Sequence, residues 1–407
     1  MARAIRTVAM CTAMQAVGGG LGWSLLPALM PSVSKDLGLT HASAGIAWGA
    51  ASLGIAVASP LGGAAVDRFG ARRVAGLAIL AGAAACAARA FVHGPWALAL
   101  AMLVFGLHIG FTAPAIPKAL AGSLAPERVA RANGLALLGY TLTTALVLLI
   151  ARTHLAPLFG GWRPLMIAAA VAMTGAGVLW LAIVRDGAPA MKHASFEEVL
   201  ALAKGAELRR VAAMHFLLFG GYLALLGMLP RALVESGMTP AATGRAVAGW
   251  LFVAGLANVA GPVLASRIGN RPILVCGPIV AGLALLGVAL APVAWSPVLL
   301  AVAALGGGAV APILLTLPLE LPGIGAPRFG AALGLLMLVG QIGGFLLPVV
   351  AGVMAERMGI AFALAGLAFA HLAIVFFAPR KSAAATGSNA SSVRSSGDAS
   401  TPSLGAA

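Results

Sequence analysis

Charge is what this sequence has least of. Over 407 residues only 9% are Asp, Glu, Lys or Arg, against 61% hydrophobic residues and a mean hydropathy of +1.01. So thin a polar share excludes a water-soluble globule. Acid is scarcer than base, 11 Asp and Glu against 26 Lys and Arg, and no carboxylate falls near the middle of an apolar run. Catalysis inside a membrane needs paired acids, a nucleophile with its base, or metal ligands at working spacing. The chain has no such acids, no Gly-x-Ser-x-Gly and no His-Glu-x-x-His, which argues against an enzyme. Cysteine is nearly absent: Cys11, Cys86 and Cys276 stand singly in apolar stretches, excluding a disulfide framework or a thiolate metal site. The glycine clusters at 18–20, 306–308 and 343–344 follow no strand and lack a Gly-Lys-Ser/Thr ending. They are read as close helix contacts rather than phosphate loops, and no cofactor is expected.

What the chain does have is apolar length. The first half reads as six helices near 7–31, 42–66, 74–93, 97–120, 134–156 and 163–184, and the second as six near 211–232, 244–265, 273–293, 298–320, 331–354 and 360–378. Each is close to the roughly 20 residues that cross a bilayer. The basic N-terminus opens an apolar run that continues to about Pro31, too long for a cleaved signal, and reads as the first retained span. A net charge of +15 would suggest nucleic acid in a soluble domain. Here the basic residues gather in short connections on one side, so the excess reports topology, with that side and both termini cytoplasmic. The expected fold is an all-α integral membrane protein of twelve transmembrane helices in two pseudo-symmetric six-helix bundles. Its divisions are 1–184, a cytoplasmic linker 185–210, 211–378, and a disordered tail 379–407 too poor in apolar bulk to order. Within the linker, Ser195-Phe196-Glu197-Glu198 fits a capping box and predicts a short helix on the membrane surface. Trp162, in Gly160-Gly161-Trp162-Arg163, reads as an interfacial anchor.

Between the second and third runs lies Gly63-Ala64-Ala65-Val66-Asp67-Arg68-Phe69-Gly70-Ala71-Arg72-Arg73. It returns in worn form in the second half, where Gly62, Arg68, Gly70 and Arg72 map onto Gly261, Arg267, Gly269 and Arg271. The same offset carries Gly38-Leu39-Thr40 onto Gly237-Met238-Thr239. A half-length repeat of spans is what transporters built from two similar halves show. This hinge resembles the loop between helices two and three of the major facilitator superfamily of secondary transporters. The Gly-Trp-Arg turn before helix six is similar to that family too, and the resemblance runs to about residue 378.

The resemblance implies that Asp67 docks against the cytoplasmic start of helix eleven, near Arg328, and holds the inner side shut, with Arg68, Gly70, Arg72 and Arg73 completing the motif. Ser266 stands where a second acid would be, making the lock one-sided. Pro114, Pro117, Pro312 and Pro318 bend helices four and ten around a cavity. Lys118 and Glu320, near the inner ends of those helices, form an expected ion pair across the halves that breaks when the inside opens.

Candidate solute contacts are the polar groups at mid-membrane. His108 comes first: it interrupts an apolar helix that lines the cavity in this family, and its imidazole can bond a carboxylate or couple proton movement. Tyr140 and Gln341 hold matching places in helices five and eleven, with Thr143 and Thr144 one turn on, and Gln15, Tyr222 and Asn258 complete the set. His215 is read as interfacial and His371 as peripheral. Arg89 and Arg152 sit toward the outer ends of helices three and five, and no embedded acid balances them, so the cavity favours anionic or neutral solutes. The expected function is transport of a small solute, most of all an organic or inorganic anion, by a monomer in a bacterial-type inner membrane. Multidrug efflux by proton antiport is the alternative. It is weakened because no arginine opens helix four and no proline follows Gly139-Tyr140-Thr141-Leu142. A transport-dead receptor or scaffold would keep the same fold.

Overall fold

The structure is a computed structural model and describes residues 2–186, 202–321 and 324–378. Twelve helices among them are long and apolar enough to span a bilayer, and no strand occurs among the described residues. In the first half these are α1 (Ala4–Leu37), α2 (His41–Phe69), α3 (Ala71–Phe91), α4 (Pro95–Ala121), α5 (Arg131–Leu158) and α6 (Trp162–Ile183). In the second they are α7 (Ala206–Glu235), α8 (Pro240–Ile268), α9 (Asn270–Leu290), α10 (Val293–Glu320), α11 (Arg328–Met358) and α12 (Ile360–Phe377). The predicted surface helix and the tail lie outside the described residues.

The sequence repeat has a backbone cause. Gly38 and Gly237 end α1 and α7 at φ +60° and +94°, where only glycine avoids a steric penalty. Thr40 and Thr239 then cap the next helices, their hydroxyls accepting from the Ser43 and Ala242 amides. Gly70 and Gly269, at φ +84° and +87°, turn each hinge. Packing repeats as well. Helix α2 lies on α4, α3 on α4 and α6, and α1 on α5; six helices later α8 lies on α10, α9 on α10 and α12, and α7 on α11. Between the halves, α2 meets α11 and α5 meets α8, contacts that exchange with one another under the same pseudo-symmetry.

Helix α1 runs longer than its sequence suggests. Pro27 and Pro31 lie inside it rather than at its end, because the turn to α2 needs only Gly38 to Thr40. Trp162 is also not a lipid anchor: it is buried, and its Nε1 donates to Asp36 Oδ2 at 3.1 Å. Arg163 pairs the same carboxylate at 3.0 Å and donates to the Ala90 and Val92 carbonyls, stapling the start of α6 to α1 and α3.

Lipid supplies no hydrophobic drive between helices, so close approach depends on small residues. A Cβ on Gly62 would run into the Gly110 carbonyl, one on Gly106 into Ala51, and, in the other half, one on Gly261 into Ala309. Gly175 faces open space. Gly106→Val is therefore expected to destabilise the purified protein by about 1–3 kcal/mol or prevent folding. Gly175→Ala should be neutral or mildly stabilising, within about 1 kcal/mol, both read from Tm in detergent.

Candidate functional site at the seam

The seam between the halves is tight on the face opposite the hinges and opens toward them. Along α5 and α8, a Cβ on Gly244 would sit 2.8 Å from the Leu149 carbonyl; nearer the hinges, two turns along α5 and three along α8, Thr141 stands 3.8 Å from the corresponding point of Gly255. Two turns further, Gly134, on the same face of α5, meets nothing within 4 Å. Along α2 and α11 the same gradient appears: Gly45 abuts Pro348, Gly49 abuts Phe345 and Ser52 abuts Gly344, whereas Gly334, on the Phe345 face, meets nothing. The buried apolar core agrees. One cluster runs through the first half into the far side of the second, and a separate cluster of residues 208–374 fills the hinge end of the second half.

Polar contacts lock the far face. Glu235, ending α7, takes Arg231 Nε at 2.6 Å and reaches His41 Nε2 across the seam at 3.2 Å. Arg231 Nη1 donates to the Leu39 carbonyl at 3.1 Å, and the Ala42 amide, at the N-terminus of α2, donates to Glu356 Oε2 at 3.2 Å. That carboxylate meets the positive end of a helix, a favourable placement. Deeper, the Trp48 indole donates to the Leu223 carbonyl at 2.8 Å; it fits because Gly227 has no side chain to block it.

At the inner end of this closure the two halves share a polar centre. The chain has two tyrosines, and each half contributes one: the Tyr140 and Tyr222 side chains face each other across the seam, with Thr144 beside Tyr140. Thr144 in turn accepts from Ser24 at 3.0 Å. Gly19 and Gly20 lie in the π-helical stretch Gln15–Leu21 of α1, and that stretch lets Tyr140 and Thr143 pack directly on its backbone. Gln15 points along the same stretch toward Gly19. In the second half His215, Phe219, Tyr222 and Trp250 form a run of rings with centroids 5.5–6.3 Å apart, leading from the hinge end toward the tyrosine pair. His215 is buried, and so is His371, whose Nδ1 bonds the Leu367 carbonyl.

Of the residues singled out in the sequence, Tyr140, Tyr222 and Gln15 come together. Gln341 lies on α11 with Oε1 buried and unpartnered, and Asn258 is exposed on α8 one turn toward the hinge from Gly255. His108 stands apart. Its Nδ1 contacts the Phe105 carbonyl at 2.5 Å, and the residue, 3% exposed, packs against Gly82 of α3 with its Nε2 toward Gly18 of α1.

On the hinge face, Lys118 ion-pairs with Asp67 in its own half and donates to the Val66 carbonyl at 3.2 Å. Glu320 accepts from Asn270 at 2.8 Å. The Lys118 to Glu320 pair, expected only while the inner side is shut, is not formed in this conformation, where each charge finds its partner within its own bundle. Arg72 ties the hinge to the end of α6: its amide donates to Asp186 Oδ1 at 2.9 Å and its Nε to the Leu181 carbonyl at 2.6 Å. Arg68 lies over the Phe69 ring and Arg73 is exposed. Arg328, near which the resemblance has Asp67 dock, is exposed at the start of α11. Asp186 and the His41, Arg231, Glu235 and Glu356 latch carry no signal in the sequence beyond lying at or near helix ends, and Trp48, two turns inside α2, carries none.

Two six-helix bundles sealed on one face of the membrane and parted toward the other, with a polar centre between them, define a membrane transporter of a small solute. The sequence model of the Major Facilitator Superfamily matches residues 12–326, and the chain belongs to that family. Among solved structures it is similar to a bacterial homolog of the human lysosomal transporter Spinster in an inward-facing, unoccupied conformation. The two share 16% identity over 92% of this chain and 94% of that one, with a TM-score of 0.75. It is also similar to a variant of the nucleoside transporter NupG, at 16% identity over 91% and 98% with a TM-score of 0.77. At that identity the likeness is one of fold. No curated protein matches the chain in sequence.

If the far-face contacts hold the seam shut, weakening them should expose it. Gly227→Val, which evicts the Trp48 ring, and Glu235→Gln, which loosens the latch, are each expected to speed labelling of Ala44→Cys by a water-soluble thiol reagent several-fold, in a Cys276→Ser background. Unchanged labelling in both would place the seal elsewhere.

Proposed function

We propose that this transporter moves a small anion, organic or inorganic, by rocking its two bundles about the Tyr140 and Tyr222 centre so that the solute meets each face in turn. The observation that carries the reading is the sign of the charge held inside. Arg89 is fully buried among α1, α3 and α4, its Nη2 donating to the Gly22 carbonyl at 3.0 Å and its guanidinium 4.1 Å from the Phe105 ring centroid. Arg152 lies in α5 with a buried Nη1. The described carboxylates sit instead at helix ends, on or near the two faces. Two cations held inside the fold and no internal acid to balance them lower the energy of an anion between the bundles and raise that of a cation.

On this reading the hinge face is cytoplasmic and the described conformation faces inward, with both termini inside a bacterial-type inner membrane. Asp67 leaves Lys118 for the start of α11 when that face closes. The tyrosine hydroxyls and Gln15 hold the solute, with Gln341 and Asn258 joining as the halves move. His108 supplies the titratable group through which protons would couple. A monomer suffices, since the seam is formed within one chain.

Purified protein in liposomes should take up small radiolabelled anions such as formate, nitrate or acetate down their gradients. Tyr222→Phe should slow uptake about ten-fold, since a hydrogen bond to a charged partner contributes about 1.5–3 kcal/mol. His108→Ala, assayed with and without an imposed pH gradient, reads proton coupling directly. Flux of lipophilic cations alone would overturn the anion reading in favour of drug efflux, and no flux across anions, sugars, amino acids and drugs would make the protein a receptor or scaffold.

A further inference from the structure

Arg152 does more than tint the cavity. It lies in a second π-helical stretch, Ala151–Leu155, near the far end of α5, where the wider turn carries its side chain to the closed seam. There it lines a small cavity between the halves with Thr153, Ala28 of α1, Pro230 of α7, and Thr243 and Gly244 of α8. Arg152 Nη1 is buried with no hydrogen-bond partner, and so is Thr243 Oγ1, on a residue only 4% exposed. Two donors, one from each half, thus line the same cavity and meet nothing. The first turn of α8, a 29-residue helix beginning at Pro240, borders it and adds the positive end of its dipole. No carboxylate lines it: on the far face Asp36 is held by Arg163, Glu235 by Arg231 and His41, and Glu356 by the Ala42 amide.

A buried guanidinium N–H and a buried hydroxyl left unsatisfied each cost free energy that an acceptor would restore. An acceptor that also carries negative charge restores more, because it offsets the desolvated cation. We infer that this seam cavity is a binding site for a small monovalent anion, of the size of a halide or of the head of nitrate or formate, held by Arg152 Nη1 and Thr243 Oγ1. The inference borrows from the proposed function only the sign of the solute, for the site binds its anion whether or not that anion is carried. Its ligands come from α5 and α8, which part when the far face opens. The occupant therefore bridges the halves and stabilises the far-closed state over the far-open one, as any ligand that favours one conformation must.

The test is anion-dependent thermal stability of the detergent-solubilised full chain. Sodium chloride, nitrate or formate is titrated against sodium gluconate at constant ionic strength, the bulky gluconate serving as the anion too large for the cavity. The wild type should show a saturable rise in Tm with the small anions. Arg152→Gln should raise the midpoint concentration at least ten-fold, Thr243→Val several-fold, and Arg152→Lys less than Arg152→Gln; Gly175→Ala, which faces open space, should leave it unchanged. Should Arg152→Gln not purify, Thr243→Val and Arg152→Lys carry the comparison. A wild type indifferent to small anions would mean that the cavity holds water alone, and a response equal in all variants would place the anion elsewhere; either overturns the site. Saturable binding without flux in liposomes would leave this site standing and remove anion transport, while anion flux with no Arg152-dependent binding would do the reverse.

Discussion

In hydrocarbon a backbone amide or carbonyl without a partner costs several kcal/mol, so a chain crossing it is held to helical geometry nearly everywhere. The rest of this structure follows from that constraint and from where it is relaxed. Within the transmembrane helices the described backbone departs to π geometry in two places, Gln15–Leu21 of α1 and Ala151–Leu155 of α5, and both border the seam. The first lays bare Gly19 and Gly20 for Tyr140 and Thr143, and its end offers the Gly22 carbonyl to Arg89. The second turns Arg152 toward Thr243. Irregular backbone is tolerated where polar side chains or a cavity can satisfy what it frees, and π-turns gather at functional sites for that reason.

The same physics separates the bonds that persist from those that break. Inside each bundle, glycine faces bring helices into carbonyl contact along much of their length: Gly54, Gly62, Gly106 and Gly110 stitch α2 to α4 from mid-membrane to the hinge. Across the seam, glycine contacts of the same kind, at Gly45, Gly49, Gly244 and Gly352, occupy the far half. The ion pair that supplements them, His41 with Glu235, is 20% and 40% exposed, and pairs so wet contribute about 0–1 kcal/mol. Many short contacts of modest strength, ending at mid-membrane, make a closure that can be undone without disturbing either bundle.

Much of this was legible in the residues. The repeat could be read because it is written in glycines with positive φ and in threonine caps, features that local geometry demands and that survive when the rest drifts. Tyr140 and Tyr222 could be read as polar groups at mid-span. His108 stood out for the same reason, yet the structure seats it against Gly82 and Phe105, since a lone histidine in a helix does not reveal which face it turns to a neighbour. The far latch could not be read: His41, Arg231, Glu235 and Glu356 are ordinary charges at helix ends until the fold brings α1, α2, α7 and α11 to one corner. Lys118 and Glu320, expected to pair only while the inner side is shut, take other partners in this conformation. With the hinge face parted, nearer groups in each bundle, Asp67 and Asn270, hold them.

A seam that buries unsatisfied donors also sets the balance between conformations. With the far face closed, Arg152 Nη1 and Thr243 Oγ1 are cut off from water, whereas opening that face would hydrate both. The closed state thus carries a penalty that the open state lacks, offset by the latch and the glycine contacts. An acceptor in the cavity removes the penalty only while the seam is shut. Coupling of a solute to the motion then needs no distant relay: the ligand has a differential affinity for the two states because its donors belong to different bundles, and a ligand without such a difference could not move the equilibrium however tightly it bound.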